Sequence, residues 1–467
     1  MWQIADLERE GGPVDPHAAA AAMRPYVEAG FTTFDMADHY GSAEDIAGAY
    51  RERYGPDAQF LTKWVPSPGR YTRDDVRAAI ERSLRRLRTE AIDLLQFHAW
   101  RYSDPAWLDC LFWLDELREA GLIRNLGLTN FDAAHLRMVL ESGVRVVSNQ
   151  VCYSLLDRRA RGAMTDVCER HGVRLLAFGT LAGGFFAERW LGAPDPAERG
   201  IDTLETWSLM KYRRFIDAAG GWAAFQRVLE AAKPVADKHG VSMANVACRY
   251  VLDQPAVGGV IIGARLGRSE HLADNARLLG LDLDDEDRAT LDAAVESLDP
   301  IPGGCGDEYR RPPFLTASGD LSHHFDDSPF PYDVLKGATG RRRVSSGTVW
   351  EDLAGYSRAV REGDRIFVSG TTATHGDRLI GGDDPASQTH FIIDKIEGAI
   401  ESLGGTLSDV VRTRIFIRRE EIWEDVCRAH GARFAHVRPA NTLVRAGLIG
   451  EEYLVEMEAE AIVGRPD

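Results

Sequence analysis

Along the first 280 residues, short apolar runs alternate with longer stretches of helical period. The runs are residues 31–34, 59–62, 92–97, 123–128, 144–148, 173–178 and 257–262. The clearest amphipathic stretch between them is 72–87. There Thr72 and Asp75 read as a capping box, and Val76, Ile80, Leu84 and Leu87 recur at spacings of three and four. Strand followed by helix, repeated, implies parallel strands, because parallel pairing needs crossovers. Counting residues 2–5 as a short first strand predicts eight βα units, the size of a (β/α)8 TIM barrel. A doubly wound open sheet is the rival, but no G-x-G-x-x-G follows a first strand. The expected class is therefore α/β, with a barrel over residues 1–300.

The pattern stops at 299–345, which is rich in Pro, Gly, Asp and His, as in Ile301-Pro302-Gly303-Gly304 and Ser328-Pro329-Phe330-Pro331. We read residues 301–340 as a loop over the barrel mouth followed by a linker. A smaller α+β domain is expected over 341–467, with strands at 365–368, 410–417, 442–445 and 453–463. Its helices are expected at 385–403 and 420–436. The first of these aligns Phe391, Ile392, Ile396, Ala399, Ile400 and Leu403, then stops at Gly404-Gly405.

The 467 residues carry 55 Lys+Arg against 72 Asp+Glu, a net charge of −17, which argues against a nucleic-acid or anionic-membrane surface. Arg341-Arg342-Arg343 reads as a solvated linker. No apolar run approaches the roughly 18 residues of a membrane helix. No basic segment with an apolar core opens the sequence, so no signal peptide is expected. Six scattered cysteines without C-x-x-C spacing suit a reducing cytoplasm. His323-His324 has no third ligand near it in sequence, so no metal is expected.

Four polar residues stand where predicted strands end: Asp35, Tyr40 in the following loop, Lys63 and His98. The carboxyl ends of barrel strands form the catalytic face. A tyrosine is a poor acid at neutral pH, with a pKa of about 10. A nearby ammonium stabilises its phenolate, and a carboxylate keeps that ammonium charged and oriented. An imidazole can hydrogen-bond an incoming carbonyl oxygen. The set suits protonation of an oxygen that gains negative charge as hydride arrives.

Phe34-Asp35-Met36-Ala37-Asp38-His39-Tyr40-Gly41, Thr62-Lys63 and Phe97-His98 resemble the aldo-keto reductase family, over roughly residues 2–300. The resemblance implies a (β/α)8 barrel that reduces aldehydes and ketones with NADPH, less often NADH. It makes Asp35, Tyr40, Lys63 and His98 a catalytic tetrad, with Tyr40 the general acid. It assigns Thr129, Asn130 and Gln150 to the nicotinamide carboxamide and Phe178 to stacking on the nicotinamide ring. It assigns Gly179, Thr180, Leu181 and Gly183 to the pyrophosphate. Gly263, Arg265, Arg268, His271 and Asn275 resemble the adenosine-phosphate segment, where arginine favours a 2′-phosphate and hence NADP(H) over NAD(H). Trp64, Trp100, Phe185, Trp190, Tyr309 and Phe314 are candidates for an apolar substrate pocket, and Arg101 for an anionic group on the substrate.

Gly355-Tyr356-Ser357, Val368-Ser369-Gly370, Arg438-Pro439-Ala440 and Leu454-Val455-Glu456 resemble the Rid/YjgF (reactive-intermediate deaminase) family over about 344–463. That resemblance implies a chorismate-mutase-like fold, a homotrimer with clefts between subunits, and imine or enamine hydrolysis. Tyr356 and Glu456 match family site positions. Asn441 stands where active members carry an arginine that grips a carboxylate, and an amide cannot make that charged fork. The favoured reading is an NADPH-dependent carbonyl reductase with a Rid-like assembly domain. The alternatives are a bifunctional imine-processing enzyme and a non-catalytic cofactor-sensing protein.

Overall fold

The computed structural model describes all residues except 1–3, 5–7, 9–10, 68, 265, 267–270, 311–328, 338–339 and 465–467. Its N-terminal unit is a curled, all-parallel sheet in the order β1 to β7. The strands are β1 (Thr33–Asp35), β2 (Gln59–Trp64), β3 (Leu94–Phe97), β4 (Leu126–Thr129), β5 (Ser148–Cys152), β6 (Arg174–Phe178) and β7 (Val257–Val260). Helices cover the outside. The helix Arg73–Leu87 begins at the expected Thr72–Asp75 capping box and buries Val76, Ala79, Ile80, Ser83 and Leu87.

Two expectations need correction. Of the first strand expected at 2–5, only Ile4 is among the described residues, and it is helical and buried. Four residues are too few for periodicity to separate strand from helix. The described sheet therefore has seven strands, with β1 and β7 as its edges. The run 144–148 also misplaces its strand, which is Ser148–Cys152. Ser148, Asn149 and Gln150 are polar yet buried, so apolarity did not mark them.

The C-terminal unit is a mixed sheet in the order β15-β14-β16-β11-β10-β9-β8. Its strands are β8 (Val334–Lys336), β9 (Arg342–Val344), β10 (Ala359–Glu362), β11 (Arg365–Thr372), β14 (Val410–Ile417), β15 (Ala440–Arg445) and β16 (Val455–Ile462). A two-stranded ribbon, β12 (Thr374–His375) and β13 (Arg378–Leu379), lies beside it. β8 already belongs to this sheet, ahead of the expected boundary at 341.

The long helix Pro385–Ser402 packs on its own sheet and on the barrel helix Ala133–Glu141, and most of its side chains are buried. The two units are thus packed together within one chain, not held apart by a linker. Over the barrel mouth, the segment before residue 311 is pinned by Arg159. Its guanidinium meets Asp157 at 2.7 Å, Glu308 at 2.9 Å and the Gly304 carbonyl at 2.6 Å. Among the described residues no helix is long and apolar enough to cross a membrane, and no cluster of three metal-ligating side chains occurs. The candidates His323, His324 and Phe314 lie outside the described residues.

Candidate active site

Parallel registration brings the ends of β1, β2 and β3 side by side: Asp35 pairs with Leu61, and Lys63 with Gln96. Lys63 Nζ lies 2.6 Å from Asp35 Oδ2, donates to the Met36 carbonyl at 2.8 Å, and sits 5.1 Å from the centre of the Tyr40 ring. Burial lowers the Lys63 pKa, and the Asp35 charge opposes that shift. The second Asp35 oxygen accepts from Gln150 Nε2 at 2.8 Å and Gln96 Nε2 at 3.1 Å. Asp35 is therefore held by an ammonium and two amides, and its charge is aimed at Lys63.

His98 is buried, with Nδ1 3.3 Å from the Thr129 carbonyl. Burial, reinforced by the charge of Arg310, pushes its pKa well below the ordinary histidine value, so the ring is neutral. A carbonyl only accepts, so Nδ1 carries the proton and Nε2 presents a lone pair. Nε2 meets no hydrogen-bond partner among the described residues.

Thr129 ends β4 and Asn130 follows it. Thr129 Oγ1 and the Asn130 N–H both donate to the Gln150 carbonyl, at 3.1 and 2.8 Å. Asn130 adopts a left-handed backbone, φ 61°, and its buried Oδ1 has no partner among the described residues. That orphaned acceptor fits the N–H of a carboxamide. The Gln150 amide nitrogen is instead engaged by Asp35 and by Gln96 Oε1.

Phe178 ends β6, with Lys211 Nζ 5.3 Å from its ring centre. Gly179 and Gly183 have positive φ, and a Cβ on either would come within 2.3–2.8 Å of Tyr212 or Ser208. Their lack of side chains is explained by packing of the helix Trp207–Ala218. Thr180 is buried, with Oγ1 3.5 Å from Cys248 Sγ, and Leu181 is half-buried. Gly263, His271 and Asn275 follow β7, the last described strand of the parallel sheet; Asn275 N donates to the His271 carbonyl. Arg265 and Arg268 lie outside the described residues.

Of the pocket candidates, Trp100 and Tyr309 flank His98, with ring centres 4.5 and 5.8 Å away. A cavity lined by Pro66, Tyr71, His98, Trp100, Arg101 and Trp107 opens beside them. Trp64 is buried against Tyr71 and Phe97. Phe185 and Trp190 belong to a separate cluster with Trp222 and Phe225. Three contributors escaped the sequence reading: Gln96, Lys211 and Arg310. Gln96 left a signal, a polar residue inside the apolar run Leu94-Leu95-Gln96-Phe97.

In the C-terminal unit, Arg358 links two of the predicted positions. It donates to Tyr356 Oη at 3.2 Å and to the Gly370 carbonyl at 2.6 Å. Glu456 lies against Gly370, and burial raises its pKa. Asn441 is not brought to them. Asn441, on β15, pairs with Thr413 of β14 and its amide donates to Thr413 Oγ1 at 2.9 Å, whereas Glu456, on β16, pairs with Phe416 of β14.

Residues 1–296 match the family model described as "Aldo/keto reductase family". The chain belongs to that family. Residues 350–463 match a second model, "Endoribonuclease L-PSP". Protein tas of Escherichia coli is 28% identical over 325 residues, spanning 60% of this chain and 90% of that protein. The Streptomyces coelicolor protein SCO2049 is 42% identical over 127 residues, 27% of this chain and 95% of that one. The crystal structure of Rv2704 from Mycobacterium tuberculosis, a member of the YjgF/YER057c/UK114 family, is 43% identical. It covers 26% of this chain and 99% of that one, with a TM-score of 0.25. The C-terminal unit belongs to that second family.

Proposed function

We propose that the protein is an NADPH-dependent carbonyl reductase in which Tyr40 is the general acid. The observation that carries this reading is Lys63, buried between the Asp35 carboxylate and the Tyr40 ring. NADPH, when bound, supplies the hydride. Tyr40 donates its phenolic proton to the substrate oxygen as negative charge develops there. Lys63 stabilises the phenolate left behind, and Asp35, fixed by Gln96 and Gln150, holds Lys63 in place. Trp100 and Tyr309 form apolar walls beside His98, which favours an aldehyde or ketone with an apolar or aromatic body. Asn130 Oδ1 is the contact we assign to the nicotinamide carboxamide. Arg265 and Arg268 are assigned to the 2′-phosphate from their place in the sequence.

The C-terminal unit is proposed to assemble the protein as a homotrimer. Its sheet exposes Phe367, Arg412 and Val444, which supports a self-associating face. Six free cysteines accord with a cytoplasmic setting. A second reading, a bifunctional enzyme that also processes imines, is favoured by the Tyr356–Arg358–Glu456 cluster. Cofactor oxidation against a panel of aldehydes, ketones and cyclic imines tests these readings. Turnover of carbonyls alone supports the first, and turnover of imines the second. Cofactor binding without turnover of any of them would favour a sensor.

A further inference from the structure

One continuous buried stack joins the C-terminal unit to the barrel mouth. Asp394, in the helix Pro385–Ser402, lies 3.0 Å from His135 Nε2 and is also held by Arg433. The other ring nitrogen of His135 meets Asp132 at 2.7 Å. With a carboxylate at each nitrogen, both must donate, so the ring is an imidazolium. Burial alone would lower its pKa, but Asp132 and Asp394 raise it to about 9. The imidazolium lies flat on Tyr102, with ring centres 3.4 Å apart and planes 8° from parallel. The Arg310 guanidinium sits 4.3 Å from the centre of the Tyr102 ring. Arg310 then donates to the Asn130 carbonyl at 2.6 Å and to the Ala99 carbonyl at 3.1 Å. Ala99 follows His98, and Asn130 carries the orphaned acceptor. Asp394, His135, Tyr102 and Arg310 are all buried.

We propose that Asp394 is a positioning residue for the reductase site. Through His135, Tyr102 and Arg310 it sets the backbone beside His98 and at Asn130, so the C-terminal unit completes the cofactor-binding loop of the barrel. Charge-assisted hydrogen bonds and a cation over an aromatic face are stiff enough, when desolvated, to hold such a loop. The inference rests on the reductase reading.

The test uses the full-length protein and four variants. Asp394→Asn removes the charge, and Asp394→Glu restores it. Tyr102→Leu cuts the stack while leaving the charged groups in place. His375→Gln breaks a different contact between the units, His375 Nε2 to Asp109 at 2.9 Å. NADPH affinity is read by tryptophan fluorescence quenching, and kcat and KM on a carbonyl turned over by the wild type. Asp394→Asn and Tyr102→Leu should weaken NADPH roughly 3- to 30-fold and lower kcat while remaining folded. Asp394→Glu should recover part of that loss, and His375→Gln should stay within about two-fold of wild type. If Asp394→Asn fails to fold, Tyr102→Leu decides. A folded Tyr102→Leu with wild-type NADPH affinity and kcat overturns the proposal. So does equal loss in His375→Gln, which would mark general loosening of the interface. A wild type that binds no NADPH overturns the reductase reading itself, and this inference with it.

Discussion

Lys63 Nζ and Asp35 Oδ2 are 2.6 Å apart, at side-chain exposures of only 5% and 13%. Such a pair loses hydration on both sides and persists only when its remaining lone pairs and protons are satisfied. The Met36 carbonyl, Gln96 and Gln150 satisfy them here. In the proposed mechanism this arrangement holds a charge 5.1 Å from the centre of the Tyr40 ring.

Stability should depend on pH through His135. Its folded pKa, about 9, lies above the ordinary 6.5. The folded state therefore binds the proton more tightly, and the stabilisation is complete below about pH 6.5 and lost as pH rises to 9. At about 1.4 kcal/mol per pH unit this amounts to roughly 3 kcal/mol. Denaturant unfolding of wild type should weaken between pH 6.5 and 9, and His135→Gln should be less stable with a flatter profile over that window. An unchanged slope in the variant would contradict the assignment.

His390 works in the opposite sense. Burial, with Arg433 and His135 nearby, holds its pKa down at about 4. The unfolded chain then binds a proton that the folded chain refuses, so stability should fall as pH drops from 6.5 to 4. His390→Leu should blunt this acid loss in a urea titration. A variant that loses stability just as steeply would assign it to other groups.

Cofactor choice should follow Arg265 and Arg268. Replacing both with alanine should weaken NADPH binding and spare NADH, because only NADPH carries the 2′-phosphate that a guanidinium fork grips. Titration with each dinucleotide decides it, and equal loss for both would make these arginines structural.

The full-length chain should sediment at three times its mass of 51.7 kDa. Phe367→Asp, on the exposed sheet face, should yield a monomer. With Asn441 in place of arginine, ammonia release from a 2-imino acid should be slight. Efficient release abolished by Glu456→Ala would move the imine-processing reading to first place. A wild-type monomer would remove the assembly role.

Much of this architecture was legible in the sequence, and the exceptions have physical reasons. Six of the seven apolar runs mark described strands of the barrel unit, because strands buried on both faces are largely apolar. β5 escaped because Ser148, Asn149 and Gln150 are buried despite being polar, and the amides of Asn149 and Gln150 find hydrogen-bond partners inside the barrel. Asp35, Tyr40, Lys63 and His98 stood out because each lies at the end of a strand or within a few residues of it. The stack from Asp394 to Arg310 did not. His135 and Asp394 are 259 residues apart, and neither belongs to a local pattern. Nor does sequence disclose the tautomer of His98, which depends on the Thr129 carbonyl beside Nδ1.

The central claim is that Tyr40 supplies the proton. Tyr40→Phe keeps the ring beside Lys63 and removes only the hydroxyl. Steady-state turnover of a carbonyl substrate, measured together with NADPH affinity, tests this most directly. A general acid contributes about 10²–10⁴-fold, so turnover should fall at least that far while NADPH affinity stays within a few-fold. Turnover equal to wild type in this variant would contradict the account.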